Sequence, residues 1–145
     1  MRLLLVHGPN LNRLGHRDPT MYGRVTLAEI VEQVTAAAQP HGYETVAFQS
    51  NHEGQLIDWL QENFSTAHAI IINPGGLSHT SVSLRDALDD TKLPVVEVHL
   101  SDPAQREDFR RVFITATAAK HVIAGKGAAG YMEAVEWISQ NGSKQ

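Results

Sequence analysis

Tyr22 sits in a segment that also carries Arg13, Arg17 and Arg24 against a single acid, Asp18. A phenol with an ordinary pKa of about 10 is a poor base at neutral pH, but adjacent guanidinium groups favour its anion. The spacing allows either a base that takes a proton from a ligand or an aromatic latch that ties the loop to the domain. A second group follows at 97–101, where Glu97, His99 and Ser101 alternate with Val96, Val98 and Leu100. In an extended strand the carboxylate and the imidazole share one face. Burying them is costly unless they are paired, and a glutamate that sets a histidine's tautomer and supports its imidazolium is an acid/base arrangement. The alternative is a satisfied polar pair near a strand end.

Binding groups surround these two. Gly75 and Gly76 let backbone N–H groups approach a ligand, and Ser101 precedes an expected helix start, so either place could hold a carboxylate. Arg106 and Arg110 lie four apart, on one face if that segment is helical. Most of the arginines therefore fall in two segments, 13–24 and 106–111, with a solvated basic face as the simpler reading of the second.

Other chemistries fit poorly. With no cysteine there is no thiolate nucleophile, disulfide framework, zinc finger or iron–sulfur cluster. Gly76-Leu77-Ser78-His79-Thr80 lacks the closing glycine of a nucleophile elbow. Gly125-Lys126-Gly127-Ala128-Ala129-Gly130 matches a dinucleotide fingerprint literally but follows the last strand, so a turn into the last helix is the expected role. His79, Glu97 and His99 could form a metal triplet, but eight histidines generate such sets by chance, and no metal or other cofactor is expected. His7 stands at the end of strand one where a phosphoacceptor site would want carboxylates. Lys126 is the one well-placed amine for Schiff-base chemistry. A net charge of −4 and a pI near 6.0 supply no basic field for nucleic acid or anionic lipid. No apolar run is long enough to span a bilayer, and Arg2 to Val6 is too short for a signal peptide, so a cytoplasmic location is expected.

The elements that must position these residues follow from the hydrophobic pattern. The 145 residues suit one domain, 1–145. Apolar runs at Leu3–Val6, Thr45–Phe48, Ala69–Ile72, Val95–Val98 and Val122–Ala124 predict strands. Helical period predicts helices at Thr26–Ala38, with a Thr26/Glu29 capping box, at Glu53–Phe64, Ser81–Asp90 and Tyr131–Ser139, and after Ser101-Asp102-Pro103. Regular alternation predicts an α/β fold with three layers, a five-stranded parallel sheet between helices in flavodoxin-like order. Ligands of such sheets bind beyond the carboxyl ends of the strands, which selects Pro9 and Asn10, the 73–79 segment, and His99 to Ser101. The stretch from His7 to Arg24 is too long for an ordinary connection, so residues 8–24 are expected to form a mobile lid or binding loop over an anionic ligand. The tail from Asn141 to Gln145 is expected to fray.

With these residues placed, the whole chain resembles type II 3-dehydroquinate dehydratase. The resemblance is carried by Gly8-Pro9-Asn10-Leu11-Asn12-Arg13-Leu14-Gly15, Tyr22-Gly23, Gln49-Ser50-Asn51-His52-Glu53-Gly54, Asn73-Pro74-Gly75-Gly76-Leu77-Ser78-His79-Thr80-Ser81, Glu97-Val98-His99-Leu100-Ser101 and Arg106-Glu107-Asp108-Phe109-Arg110. It implies a metal-free lyase of the shikimate or quinate pathways that converts 3-dehydroquinate to 3-dehydroshikimate by anti elimination. By the resemblance Tyr22 removes a proton from C2, Arg17 stabilises its anion, and Asn10 holds a water against the enolate. His99, oriented by Glu97, protonates the departing C1 hydroxyl. Leu100 and Ser101 would meet the substrate carboxylate through backbone N–H groups, Asn73, His79 and Arg110 the ring hydroxyls, and Arg106 would close from the lid side. Asp86 would reach in from a neighbouring subunit of a homo-oligomer, a dodecamer of trimers. The segment Arg111-Val112-Phe113-Ile114-Thr115 and Asp102 depart from the family's usual residues. A flavodoxin-like module for a flavin or nucleotide is the competing reading from fold alone.

Overall fold

Five strands run parallel through the centre of the computed structural model, which describes residues 1–142: β1 (Arg2–His7), β2 (Glu44–Gln49), β3 (Ala69–Asn73), β4 (Val95–His99) and β5 (His121–Ala124). Their order is β2-β1-β3-β4-β5, the expected flavodoxin-like arrangement. β1, β3 and β4 read as near-continuous apolar runs because both of their faces are covered. Leu3, Leu5, Ile71, Val96 and Val98 pack under α2 (Leu27–Ala38) and α5 (Ala129–Asn141), while Leu4, Val6, Ile70 and Ile72 pack under α3 (Glu53–Asn63) and α4 (Val82–Asp90). His7 is in register with both Gln49 and Asn73, so three strands end at one level. The helices start where their caps stand: the Thr26 hydroxyl accepts from the Glu29 N–H at 3.2 Å and the Ser81 hydroxyl from the Leu84 N–H at 2.9 Å. No helix among the described residues is long and apolar enough to cross a membrane.

Two connections differ from expectation. The helix expected after Ser101-Asp102-Pro103 does not form; three 3-10 turns take its place, at Pro103–Gln105, Asp108–Arg111 and Thr115–Ala118. Asp102 does cap the first turn, accepting from the Ala104 N–H at 3.0 Å, but Arg106 is already extended at φ −119°. A capping signal starts a helix; an apolar stripe to bury sustains it, and Gln105-Arg106-Glu107-Asp108 has none. Arg106 and Arg110 therefore do not share a helix face. The connection from β1 also holds more structure than its lack of period predicts: a 3-10 turn at Leu11–Arg13 and a one-turn helix, α1 (Pro19–Tyr22). Its root is anchored, with Leu11 and Leu14 buried in the core beside α2. At the other end of the chain Asn141 belongs to α5, its side-chain amide donating to the Trp137 carbonyl at 2.8 Å; the rest of the expected frayed tail, residues 143–145, lies outside the described residues.

Candidate active site

A cavity opens where β1, β3 and β4 end, roofed by the loop that carries α1. Asn10, Arg17, Tyr22, Asn73, Gly75, Gly76, His79, His99, Leu100, Ser101, Arg106 and Arg110 all line it. The loops after β1 and β3 interlock to form its floor. Gly8 donates its N–H to the Asn73 carbonyl at 2.8 Å, and a Cβ on Gly8 would lie 2.2 Å from the Pro74 carbonyl oxygen. Gly75 adopts φ +61°, and a Cβ there would meet the Pro9 oxygen at 2.8 Å, so both positions require glycine. Asn10, itself left-handed at φ 71°, donates its backbone N–H to Asn51 Oδ1 at 2.9 Å. Gln49 ties the same corner, its amide donating to the Gly8 carbonyl at 3.2 Å and to Asn51 Oδ1 at 3.2 Å.

Tyr22 comes to the cavity on α1, whose first turn is held by Asp18. That carboxylate accepts from the Thr20 hydroxyl at 2.7 Å and the Thr20 N–H at 2.9 Å, and these two bonds keep Asp18 below the ordinary carboxylate range. Arg17 donates to the Tyr22 oxygen at 3.1 Å and lies 3.9 Å from the ring centroid. The Arg106 guanidinium approaches the same ring at 5.3 Å. Two guanidinium groups therefore face one phenol ring.

β4 presents the other pair. Glu97 is fully buried, and its Oε2 lies 2.8 Å from His99 Nε2. Thr115 donates its hydroxyl to Glu97 Oε1, so each carboxylate oxygen has a partner. With Nε2 committed to Glu97, His99 has Nδ1 left for a ligand. His79 is oriented in the opposite sense: its Nδ1 donates to the Val112 carbonyl at 2.7 Å, which leaves Nε2 for a ligand. The Phe113 ring stands edge-on to both imidazoles, at 5.3 Å from His79 and 5.7 Å from His99. Across the opening Arg110 donates to Glu107 at 2.7 Å, and Arg106 Nε lies 3.8 Å from the same carboxylate. Its own backbone N–H and Arg110 hold Glu107 below its ordinary range.

The structure thus gathers most of the residues singled out from the sequence. Glu97 stands behind His99 rather than on the cavity wall, and Asp86 is exposed on α4, 3.2 Å from Arg85, away from this chain's cavity. Lys126 pairs with Glu133 at 2.6 Å and does not line the cavity. Among the described residues no group of three or more histidines and carboxylates is arranged to hold a metal ion. The sequence reading missed Thr115 and Phe113, whose segment carries neither strand nor helix period.

Comparison with known proteins gives the geometry a family. Residues 1–139 match the model of "Dehydroquinase class II". The chain is 51% identical over 140 residues to a 3-dehydroquinate dehydratase 1 of Corynebacterium efficiens, covering 97% of this chain and 93% of that one. It is 52% identical over 138 residues to the 3-dehydroquinate dehydratase of Corynebacterium glutamicum, covering 95% of each. The type II dehydroquinase of Propionibacterium acnes superposes with a TM-score of 0.91 at 31% identity, covering 97% of both chains. Full-length similarity of sequence and of fold, around a cavity with this residue set, establishes that the chain belongs to the class II dehydroquinase family.

Proposed function

We propose that the chain dehydrates 3-dehydroquinate to 3-dehydroshikimate in this cavity, with Tyr22 as base and His99 as acid. The Tyr22 phenolate takes the proton from C2, and its electron pair moves into an enolate. Arg17 stabilises the phenolate, and Asn10 holds a water that hydrogen-bonds to the enolate oxygen. The enolate then collapses, the C1–O bond breaks, and His99 gives its proton to the departing hydroxyl, which leaves as water in an anti elimination. Glu97 supports the imidazolium form of His99. Proton exchange with solvent resets both groups. Leu100 and Ser101 bind the substrate carboxylate, while Asn73, His79 and Arg110 bind its hydroxyls; within 8–24 the part beyond the buried Leu11 and Leu14 moves as a lid, with Arg106 meeting it from the opposite wall. Asp86 completes the cavity of a neighbouring copy in an oligomer of trimers.

The observation that carries this reading is one cavity lined by Tyr22, hydrogen-bonded by Arg17, and by His99, backed by Glu97. The test is ultraviolet detection of the conjugated enone formed from 3-dehydroquinate. His99→Ala should lower that rate by about 10²–10⁴-fold, and a rate close to wild type would reassign the acid. Borohydride added with substrate should leave activity intact, because among the described residues no lysine lines the cavity; inactivation would mean a Schiff base instead.

A further inference from the structure

His7 and Tyr131 back Asn73 in a polar chain from the core to the cavity, and neither of those two has a role above. His7 ends β1, Asn73 ends β3 beside it in register, and Tyr131 lies in the first turn of α5. All three are buried, and only Asn73 reaches the cavity wall. The Tyr131 oxygen lies 3.0 Å from His7 Nε2 and 3.2 Å from Asn73 Nδ2. Asn73 Oδ1 accepts from the Gly75 N–H at 3.1 Å.

Counting protons leaves one arrangement. The Gly75 N–H can only donate, so the Asn73 oxygen faces it and the amide nitrogen faces Tyr131. That nitrogen donates to the phenol oxygen. The phenol's own hydrogen must then go to His7 Nε2, which accepts only in the neutral Nδ1–H tautomer. Burial favours both states, lowering His7 to about 4 and pushing the Tyr131 phenol upward.

We propose that Tyr131, backed by His7, is a positioning residue that fixes the Asn73 amide so that it meets the substrate only as a hydrogen-bond donor. The amide oxygen is turned to the Gly75 N–H and one amide N–H to Tyr131; the second N–H remains for the cavity. The ligand atom facing it is an acceptor, a hydroxyl or carbonyl oxygen, and a substituent that can only donate, such as an ammonium, is rejected there. This rests on the reading that Asn73 contacts the substrate.

Tyr131→Phe keeps the ring and removes only the oxygen, and a double-mutant cycle with Asn73→Ala separates positioning from general destabilisation. The readouts are kcat, KM and melting temperature with 3-dehydroquinate. Tyr131→Phe should lower kcat/KM by about tenfold, mostly through KM, Asn73→Ala should lower it further, and the double variant should match Asn73→Ala alone. Losses that simply multiply, or an unchanged kcat/KM in Tyr131→Phe, overturn the proposal. A wild-type kcat/KM in Asn73→Ala is a different failure: it removes Asn73 from the substrate and the relay with it. Should Tyr131→Phe not fold, His7→Leu decides, since it removes the acceptor of the Tyr131 hydrogen and adds no charge to the cavity. Undiminished kcat/KM in that variant overturns the proposal, and a fall with the melting transition retained supports it.

Discussion

Glu97 is a buried carboxylate whose two oxygens are each met by one donor, the His99 ring and the Thr115 hydroxyl. Replacing Thr115 by valine preserves shape and leaves one oxygen unsatisfied, which costs about 1–3 kcal/mol. The expected outcome is a lower melting temperature together with reduced kcat and an altered pH profile. Thermal melts and pH-dependent kinetics check it, and a profile identical to wild type would confine Thr115 to stability. Glu97 and His99 are legible in the sequence because period-two alternation puts unlike side chains on one face of a strand whatever its neighbours do. Thr115 and Phe113 are not legible, because what brings the one to Glu97 and the other to the two imidazoles is a chain path set by tertiary contacts such as the Ile114 N–H donating to the Ser78 carbonyl at 2.8 Å.

The elements separate along the same line. Strands and the longer helices announce themselves through periodicity, and β1 to β5 fall within about a residue or two of the expected runs. The segment after β4 shows where a cap misleads: Asp102 and Pro103 open a turn, and the residues that follow offer no stripe to continue it. α1 is the opposite case, one turn too short to carry a period yet marked by Asp18-Pro19, an N-cap acid followed by a proline. Because hydrogen bonds hold Asp18 below its ordinary range, its contribution is present above that range and is lost as pH falls through the lowered value. Asp18→Ala should therefore speed amide hydrogen exchange in α1 and lower kcat/KM several-fold, with the global melting temperature nearly unchanged, because α1 is exposed and carries no buried residue. Unchanged exchange at Met21 and Tyr22 would show that the cap does not order the loop.

At the scale of the whole molecule the fold is legible from alternation alone, since parallel strands buried on both faces leave few topologies, and the ligand end of the sheet follows from the order of its strands. The buried His7 gives that fold a pH dependence. Its value falls from 6.5 to about 4 through desolvation, beside the un-ionised phenol of Tyr131. Between those two values the unfolded chain binds a proton that the folded chain does not. Stability is thus full above about pH 6.5 and declines as pH falls toward 4, by about 3 kcal/mol in all. Denaturant titrations across that window should show the decline, and His7→Gln, which still offers Tyr131 an acceptor, should flatten it; an equal slope in both proteins would assign the loss to other groups.

The central claim is that the phenol oxygen of Tyr22, faced by Arg17, takes the substrate's proton. Tyr22→Phe tests it most directly, with turnover followed by enone absorbance and substrate affinity by calorimetry on the same protein. Turnover should fall by about 10²–10⁴-fold while the dissociation constant stays within a few-fold of wild type. Turnover within a few-fold of wild type in that variant would contradict it.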